Sequence, residues 1–122
     1  MSMIGFLLDE HVPLLVREHL KRIEPGILVY TVGDGFAPPK GTPDPDLLSW
    51  IESNNCFLVT NNRASMPVHL ADHLAQGRHV PGIVQLLKSK EFRAVLGDLL
   101  LIWGASMPGE FQDQIVYLPL RH

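Results

Sequence analysis

The chain has 122 residues, of which 46% are hydrophobic and 19% are charged, and its formal net charge at pH 7 is −3. This balance is typical of one folded globular domain, spanning 1–122, and argues against an intrinsically disordered chain. The net negative charge excludes a global basic field, so a nucleic-acid substrate would require metal ions or a local basic patch.

Several features predict a soluble cytoplasmic protein. No stretch approaches the roughly 20 apolar residues that are needed to span a bilayer, so no membrane partner is expected. The N-terminus lacks the basic region and the small-residue cleavage site of a signal peptide. The single cysteine, Cys56, cannot form an internal disulfide, and its place at the head of an apolar run indicates a buried thiol.

Hydrophobic periodicity predicts strands and helices that alternate along the chain. The strands are expected over 4–8, 27–32, 56–59, 80–87 and 115–118. The helices are expected after Pro13, from Asp44 to Asn54-Asn55, from Ser65 to Gly77, and around Phe92, Val95, Leu96, Leu99 and Trp103. Uncharged strands between helices predict an α/β three-layer sandwich, with a mostly parallel sheet of four or five strands and the first strand at its centre.

Two helices carry specific local signals. Val16, Leu20 and Ile23 recur at i, i+4 and i+7 of the first helix and are expected to form its buried stripe, with Pro13 in the first turn. Asp44 is a good N-cap for the second helix. Asp44 therefore has a purely structural interpretation beside any functional one.

Polar residues follow the C-terminal ends of three predicted strands. They are Asp9-Glu10-His11 after the first strand, Thr60-Asn61-Asn62 after the third, and Asp44-Pro45-Asp46 beyond a glycine-rich and proline-rich loop, 33–43, after the second. In a parallel sheet these strand ends share one edge, where open α/β folds form their ligand crevice. We therefore expect these residues to converge there.

Four acidic side chains could supply oxygen ligands in this crevice: Asp9, Glu10, Asp44 and Asp46. Carboxylate oxygens, with water in the remaining positions, suit Mg²⁺ or Mn²⁺. Such ions can activate water and stabilise the leaving oxygen in phosphodiester hydrolysis. Asn61 and Asn62 would weaken the site, because a neutral amide contributes an oxygen but no charge.

Other chemistries fit the sequence less well. A receiver domain needs an aspartate phosphoacceptor after the third strand, where this chain has Asn61. A dinucleotide-binding fold needs a glycine-rich turn after the first strand, and 9–13 contain no glycine. His69 and His73 have a spacing that can bind zinc, but they lack a glutamate or cysteine partner, so surface or core-edge positions are expected instead.

Two residues beside the acids have alternative interpretations. His11 could contact a phosphate or orient a carboxylate, or it could cap the turn. Thr60 could hold an acidic group through its hydroxyl, or it could begin the turn after its strand. The sequence leaves both choices open.

Three segments carry a family resemblance: Phe6-Leu7-Leu8-Asp9-Glu10-His11, Gly41-Thr42-Pro43-Asp44-Pro45-Asp46-Leu47-Leu48 and Leu58-Val59-Thr60-Asn61-Asn62-Arg63. In this order they resemble the PIN-like family, small single-domain relatives of the PIN nucleases that act as toxins in bacterial toxin–antitoxin pairs. The resemblance covers more than half of the chain. It implies a PIN-like fold, a Mg²⁺- or Mn²⁺-dependent ribonuclease, an RNA substrate and a small antitoxin protein as partner. A second copy of the chain, in a homo-oligomer, is a further partner that the sequence allows.

The resemblance also implies roles for individual residues. Asp9 corresponds to the metal ligand that closes the first strand, and Asp44 corresponds best to the acid that opens the site helix, with Asp46 as the alternative. Beyond the resemblance, we expect Asp9 to bridge the metal and a substrate phosphate, and Glu10 and Asp44 to provide second ligands or to hold the ligating water. The expected catalytic residues are therefore Asp9, Glu10 and Asp44. Substrate-binding or site-shaping roles are expected of His11, Thr60, Asn61, Asn62 and Arg63.

The end of the third strand departs from the family pattern. The family has Thr-x-Asp there, often followed by a further Asp, where this chain has Thr60-Asn61-Asn62 and then Arg63-Ala64-Ser65. The loss of carboxylates lowers cation affinity, and Arg63 could pair with Asp9 or Asp44 in place of the metal. The alternative function is therefore a non-catalytic PIN-like protein that binds RNA or a protein partner.

Overall fold

The computed structural model describes residues 4–61, 64–87, 92–107 and 109–119, and strands and helices alternate along them as expected. The strands are β1 (Gly5–Leu8), β2 (Val29–Thr31), β3 (Cys56–Thr60), β4 (Ile83–Leu86) and β5 (Ile115–Leu118). The helices are α1 (Leu14–Ile23), α2 (Asp44–Asn54), α3 (Met66–Ala75) and α4 (Phe92–Ala105). No helix among the described residues is long and apolar enough to cross a membrane.

The strands form one sheet in the order β2-β1-β3-β4-β5, and every neighbouring pair is parallel. The prediction of an α/β fold with a parallel sheet is confirmed. The expected centre is wrong by one strand, because β1 lies between β2 and β3 while β3 occupies the middle. The reason is the strand order: β4 and β5 both lie on the far side of β3, whereas only β2 lies on the far side of β1.

Helices cover both faces of the sheet and divide the core in two. Phe6, Leu8 and Val59 pack with α1 and α4, whereas Leu7 and Leu58 pack with α2 and α3. Successive side chains of a strand point to opposite faces, so β1 and β3 supply both cores at once. Every residue of these two strands is buried, which explains why their sequences carry no charge.

The buried stripe of α1 is shorter than predicted. Val16 and Leu20 are buried, at 2% and 0% exposure, but Ile23 is 53% exposed. Ile23 is the last residue of α1, and the chain turns after it so that Ile27 enters the core instead, with no exposed surface. Ile23 is helical, as its spacing predicted, but at the end of α1 its side chain does not reach the core.

The starts of α1 and α2 also differ from expectation. Pro13 and Pro43 occupy the N-cap positions, so Pro13 precedes the first turn of α1 and Asp44 is the first residue of α2 rather than its cap. No side chain caps either helix by a hydrogen bond. Because Pro43 has an extended backbone, with φ −62° and ψ 150°, it sets the direction of the helix without a side-chain cap.

The two positions in α1 make a matched test of this packing. Leu20→Ala should lower the free energy of unfolding by about 2–5 kcal/mol, since it opens a cavity in a fully buried site. Ile23→Ala should change it by no more than about 0.5 kcal/mol, because that side chain is mostly exposed. Urea unfolding of both variants measures the difference. Equal losses would contradict the exposed position of Ile23.

Candidate functional site

The candidate site lies at the C-terminal edge of the sheet. Asp9 follows β1, Thr60 ends β3, and the loop 33–43 leads from β2 to Asp44 at the start of α2. In parallel sheets this edge is where loops leave the strands and where ligands bind. The topology thus brings the predicted acids to one side of the molecule.

Asp9 is a buried carboxylate, 7% exposed, whose two oxygens are held by hydrogen bonds. Its Oδ1 accepts a hydrogen bond from the backbone N–H of Glu10 at 2.8 Å, and its Oδ2 accepts one from the Thr60 hydroxyl at 2.9 Å. The backbone N–H of Asp9 donates to the Val59 carbonyl at 2.9 Å, which extends the pairing of β1 with β3 by one residue. Thr60 therefore holds the acid through its hydroxyl, and each carboxylate oxygen keeps a lone pair for another ligand.

Three buried polar residues lie side by side at this edge. The extended pairing places Asp9 beside Thr60, and Thr60 pairs with Gln85 of β4. Thr60 and Gln85 point to the same face as Leu58, towards α2 and α3, because alternate residues of a strand share a face. Asp9, Thr60 and Gln85, here called the polar row, are 7%, 0% and 1% exposed.

Gln85 was missed by the sequence reasoning. The signal was available, since it is a lone amide within the otherwise apolar strand Ile83–Leu86. Its side-chain oxygen, Oε1, is buried and has no hydrogen-bond partner in the described part of the chain. A buried acceptor without a partner costs about 1–3 kcal/mol, and native proteins contain few of them.

Asp44 reaches the same edge from α2. Its Oδ2 accepts a hydrogen bond from the Ser65 hydroxyl at 3.3 Å and lies 3.6 Å from Nε2 of His69. Both of these residues belong to the segment that starts α3, directly after β3. The Asp44 carboxylate therefore faces the neighbouring helix start at the strand ends, and capping of α2 does not account for its position.

Glu10 and Asn61 connect the loops around the acids. Oε1 of Glu10 accepts a hydrogen bond from the backbone N–H of Gly41 at 3.2 Å, which ties the turn after β1 to the loop 33–43. Nδ2 of Asn61 donates to the carbonyl of His11 at 3.3 Å, which holds the same turn from the other side. The His11 side chain itself is exposed. Glu10 and Asn61 thus shape the rim of the site.

The predicted metal ligands do not form a three-carboxylate cluster. Asp46 is exposed and lines a cleft of about 250 Å³ between α2 and α3. Among the described residues, no three His, Cys, Asp or Glu side chains are grouped so that they could hold a metal ion. Mg²⁺ is usually bound by one or two carboxylates and several waters, so the absence of a three-carboxylate group among these residues does not by itself rule out that ion. Asn62 and Arg63 lie outside the described residues.

His69 and His73 have separate partners. His69 is near Asp44, whereas His73 is buried, at 4% exposure, with Nε2 2.9 Å from Oε1 of Glu52 and 3.3 Å from the carbonyl oxygen of His79. His73 is buried but lines the cleft between α2 and α3, and two acceptors beside Nε2 give its ring hydrogen-bond partners. Nε2 donates to these acceptors, so this nitrogen is not available as a zinc ligand.

Glu52 is the centre of a second polar cluster, at the N-terminal edge of the sheet. Besides its contact with His73, Glu52 forms an ion pair with Nε of Arg78 at 3.1 Å. It also accepts a hydrogen bond from the backbone N–H of His79 at 3.2 Å. Desolvation raises the pKa of Glu52, but the hydrogen bonds from His79 and His73 and the charge of Arg78 outweigh it. The pKa of this carboxyl is therefore below its ordinary value of 4.5.

Asp113 extends this cluster towards β5. It accepts hydrogen bonds from the backbone N–H of Val80 at 2.9 Å and from Nδ1 of His79 at 2.7 Å. Desolvation raises the pKa of Asp113, but these bonds lower it below 3.8 overall. A cavity of about 360 Å³ opens beside the cluster, lined in part by His79 and Phe111, and it touches no member of the polar row.

Comparison of the chain with protein-family models, with curated proteins and with solved structures returns no match. What the site can do therefore depends on its own residues. They provide a fixed buried carboxylate at Asp9, a second carboxylate at Asp44, and an amide oxygen at Gln85 that needs a donor. Carboxylate and amide oxygens are the kinds of ligand that hard cations prefer.

The N-terminal cluster predicts acid sensitivity. Because the folded-state pKa values of Glu52 and Asp113 are depressed, their stabilisation is complete above the unfolded values near 4.5 and 3.8 and is lost as the pH falls through the folded values. Urea midpoints measured from about pH 6 to pH 2 should fall less steeply for Glu52→Gln than for the wild type. Glu18→Gln, at an exposed position of α1, is the matched control and should follow the wild type. Identical curves for Glu52→Gln and the wild type would contradict this account.

Proposed function

We propose that this protein is a PIN-like endoribonuclease that depends on Mg²⁺ or Mn²⁺, with its site at the C-terminal edge of the sheet. The observation that carries the proposal is the environment of the Asp9 carboxylate, its burial and its hydrogen-bond partners. Asp9 is nearly buried, and within the described part of the chain its oxygens receive only uncharged donors and no Lys, Arg or His pairs with it. A buried carboxylate without a counter-charge is costly, so a bound cation would be strongly favoured.

Asp44 supports the same proposal. It adds a second carboxylate at the strand ends, 16% exposed, which is within reach of solvent and ligands. Asp9 and Asp44 would hold the ion, and Glu10 would keep the rim closed through its bond to Gly41. When bound, the ion would supply a Lewis acid and an activated water for phosphodiester hydrolysis. The proposal includes a cytoplasmic location and, as the resemblance implies, a small antitoxin protein as partner.

An exposed aromatic stack favours single-stranded RNA as the substrate. Phe36 is 72% exposed and stacks on Tyr30 of β2, with centroids 5.7 Å apart and an interplanar angle of 29°. Trp50 supports Tyr30 edge-on at 5.4 Å. Phe36 belongs to the loop 33–43, which Glu10 binds at Gly41 beside the acids. Exposed rings of this kind stack unpaired bases regardless of sequence.

Ser65 favours a second candidate function, a non-catalytic PIN-like protein that binds RNA. It lies in the segment where the resemblance implies a further acid, and its neutral hydroxyl donates to Asp44 at 3.3 Å. A neutral group there leaves the site with fewer carboxylates and weaker attraction for a cation. The two candidates share the RNA surface and differ in whether a metal ion binds.

Asp9→Asn tests the metal-dependent function. Calorimetry with Mn²⁺ and cleavage of a single-stranded oligoribonucleotide should show binding and cleavage for the wild type. Because the substitution removes the charge that faces the crevice, Mn²⁺ affinity should fall at least about tenfold and cleavage should stop. Asp72→Asn removes the same charge from an exposed position of α3 and should leave both unchanged. A thermal melt in EDTA establishes that each variant folds. A wild type that binds RNA without Mn²⁺ binding or cleavage would favour the non-catalytic candidate.

Phe36→Ala tests the RNA surface separately. With Ca²⁺ in place of Mn²⁺ to limit cleavage, the affinity for a fluorescent oligouridylate should fall by about fivefold to a hundredfold, as expected when one stacked base is lost. Phe36→Tyr keeps the ring and should bind as the wild type does. Leu101→Ala removes an exposed apolar side chain from α4 and serves as the control. Equal affinity in Phe36→Ala and the wild type would show that the stack does not contact RNA.

A further inference from the structure

Gln85 carries a polar group that the proposed function has not used. It is 1% exposed, and its Oε1 is the buried side-chain oxygen without a hydrogen-bond partner in the described part of the chain. The position lies within β4, where its neighbours Val84 and Leu86 are apolar. An apolar side chain of similar length would avoid the penalty of an unpaired acceptor. The amide at this position therefore points to a donor supplied by a ligand.

The polar row itself cannot supply that donor. The Thr60 hydroxyl has one proton, and it already donates to Oδ2 of Asp9 at 2.9 Å. The Asp9 carboxylate is an acceptor only when it is ionised. The remaining donors of the row are the amide N–H groups of Gln85 itself, which cannot bond to the Oε1 of the same amide, so Oε1 needs a donor from outside the row. Water bound to a divalent cation is the complementary group, because it donates two protons and is polarised by the ion.

We propose that Gln85 is a positioning residue of the candidate site, whose amide oxygen accepts a hydrogen bond from water held beside Asp9 and Thr60 when a divalent cation is bound. This inference rests on the proposed function and deepens it. Gln85 adds no charge to the site. It fixes the orientation of a water that the two carboxylates alone would leave free to rotate, which is the role that groups around metal ligands have in other sites.

Gln85→Met is the central test, because methionine has a similar length and no hydrogen-bonding amide. Its Tm in EDTA should rise by a few degrees, since a buried unpaired acceptor is removed. Its Mn²⁺ affinity, measured by calorimetry, should fall about tenfold to a hundredfold. Ile83→Val is the matched control in the same strand and on the same face. It should lower the Tm without changing Mn²⁺ affinity.

Gln85→Glu provides a second, independent variant. It keeps the length and the acceptor oxygens and adds a negative charge beside Asp9. Its Tm in EDTA should fall because of like-charge repulsion, and its Mn²⁺ affinity should rise by about tenfold or more. This opposite pair of shifts keeps the test decisive if Gln85→Met fails to fold.

The outcomes separate the inference from the proposed function. A wild type that binds Mn²⁺ while Gln85→Met binds it equally well would overturn the inference and leave the metal site intact. Unchanged or weaker binding by Gln85→Glu would overturn it as well, since the side chain would not face the cation. A wild type that binds no Mn²⁺ would overturn the proposed function, and the role of Gln85 with it.

Discussion

The hydrogen bond from the Thr60 hydroxyl to Asp9 is the interaction on which the rest of the site depends. It joins residues 51 positions apart in the chain, at the ends of the neighbouring parallel strands β1 and β3. Both partners are buried, so the bond is protected from competition with water. It orients Asp9, and the strand pairing of Thr60 then places Gln85 next in the row. The sheet register therefore determines the spacing of all three polar groups.

The carboxylates at the two edges of the sheet differ in the charge of their partners. At the N-terminal edge, Glu52 and Asp113 are compensated by Arg78 and by hydrogen bonds from His73 and His79. At the C-terminal edge, Asp9 receives hydrogen bonds from a hydroxyl and a backbone amide, which carry no net charge. The first arrangement satisfies its acids within the protein and stabilises the fold. The second fixes the geometry of an acid with neutral donors, and no cationic side chain of the described residues pairs with it.

Sequence patterns predicted the parts of this structure that depend on local order. The uncharged runs identified β1 and β3, and the strand ends identified Asp9 and Thr60 as residues of one edge. The patterns failed where a distant partner decides the outcome. His73 has its partner in Glu52 of another helix, and Gln85 joins the row because of the pairing between β3 and β4. The periodicity of one segment contains no information about partners that are distant in the sequence.

The loop 33–43, beside the candidate site, combines an exposed aromatic ring with a fixed backbone. Arg17 of α1 pairs with Asp34 near its start, and Glu10 binds Gly41 near its end. A backbone bond from Gly33 to the Pro38 carbonyl, at 2.8 Å, closes the segment between these anchors. Phe36 lies within that closed segment, so its exposed ring is held by the backbone as well as by Tyr30. A surface fixed in this way would lose little conformational entropy on binding a base, which is the advantage of preorganisation over a flexible loop.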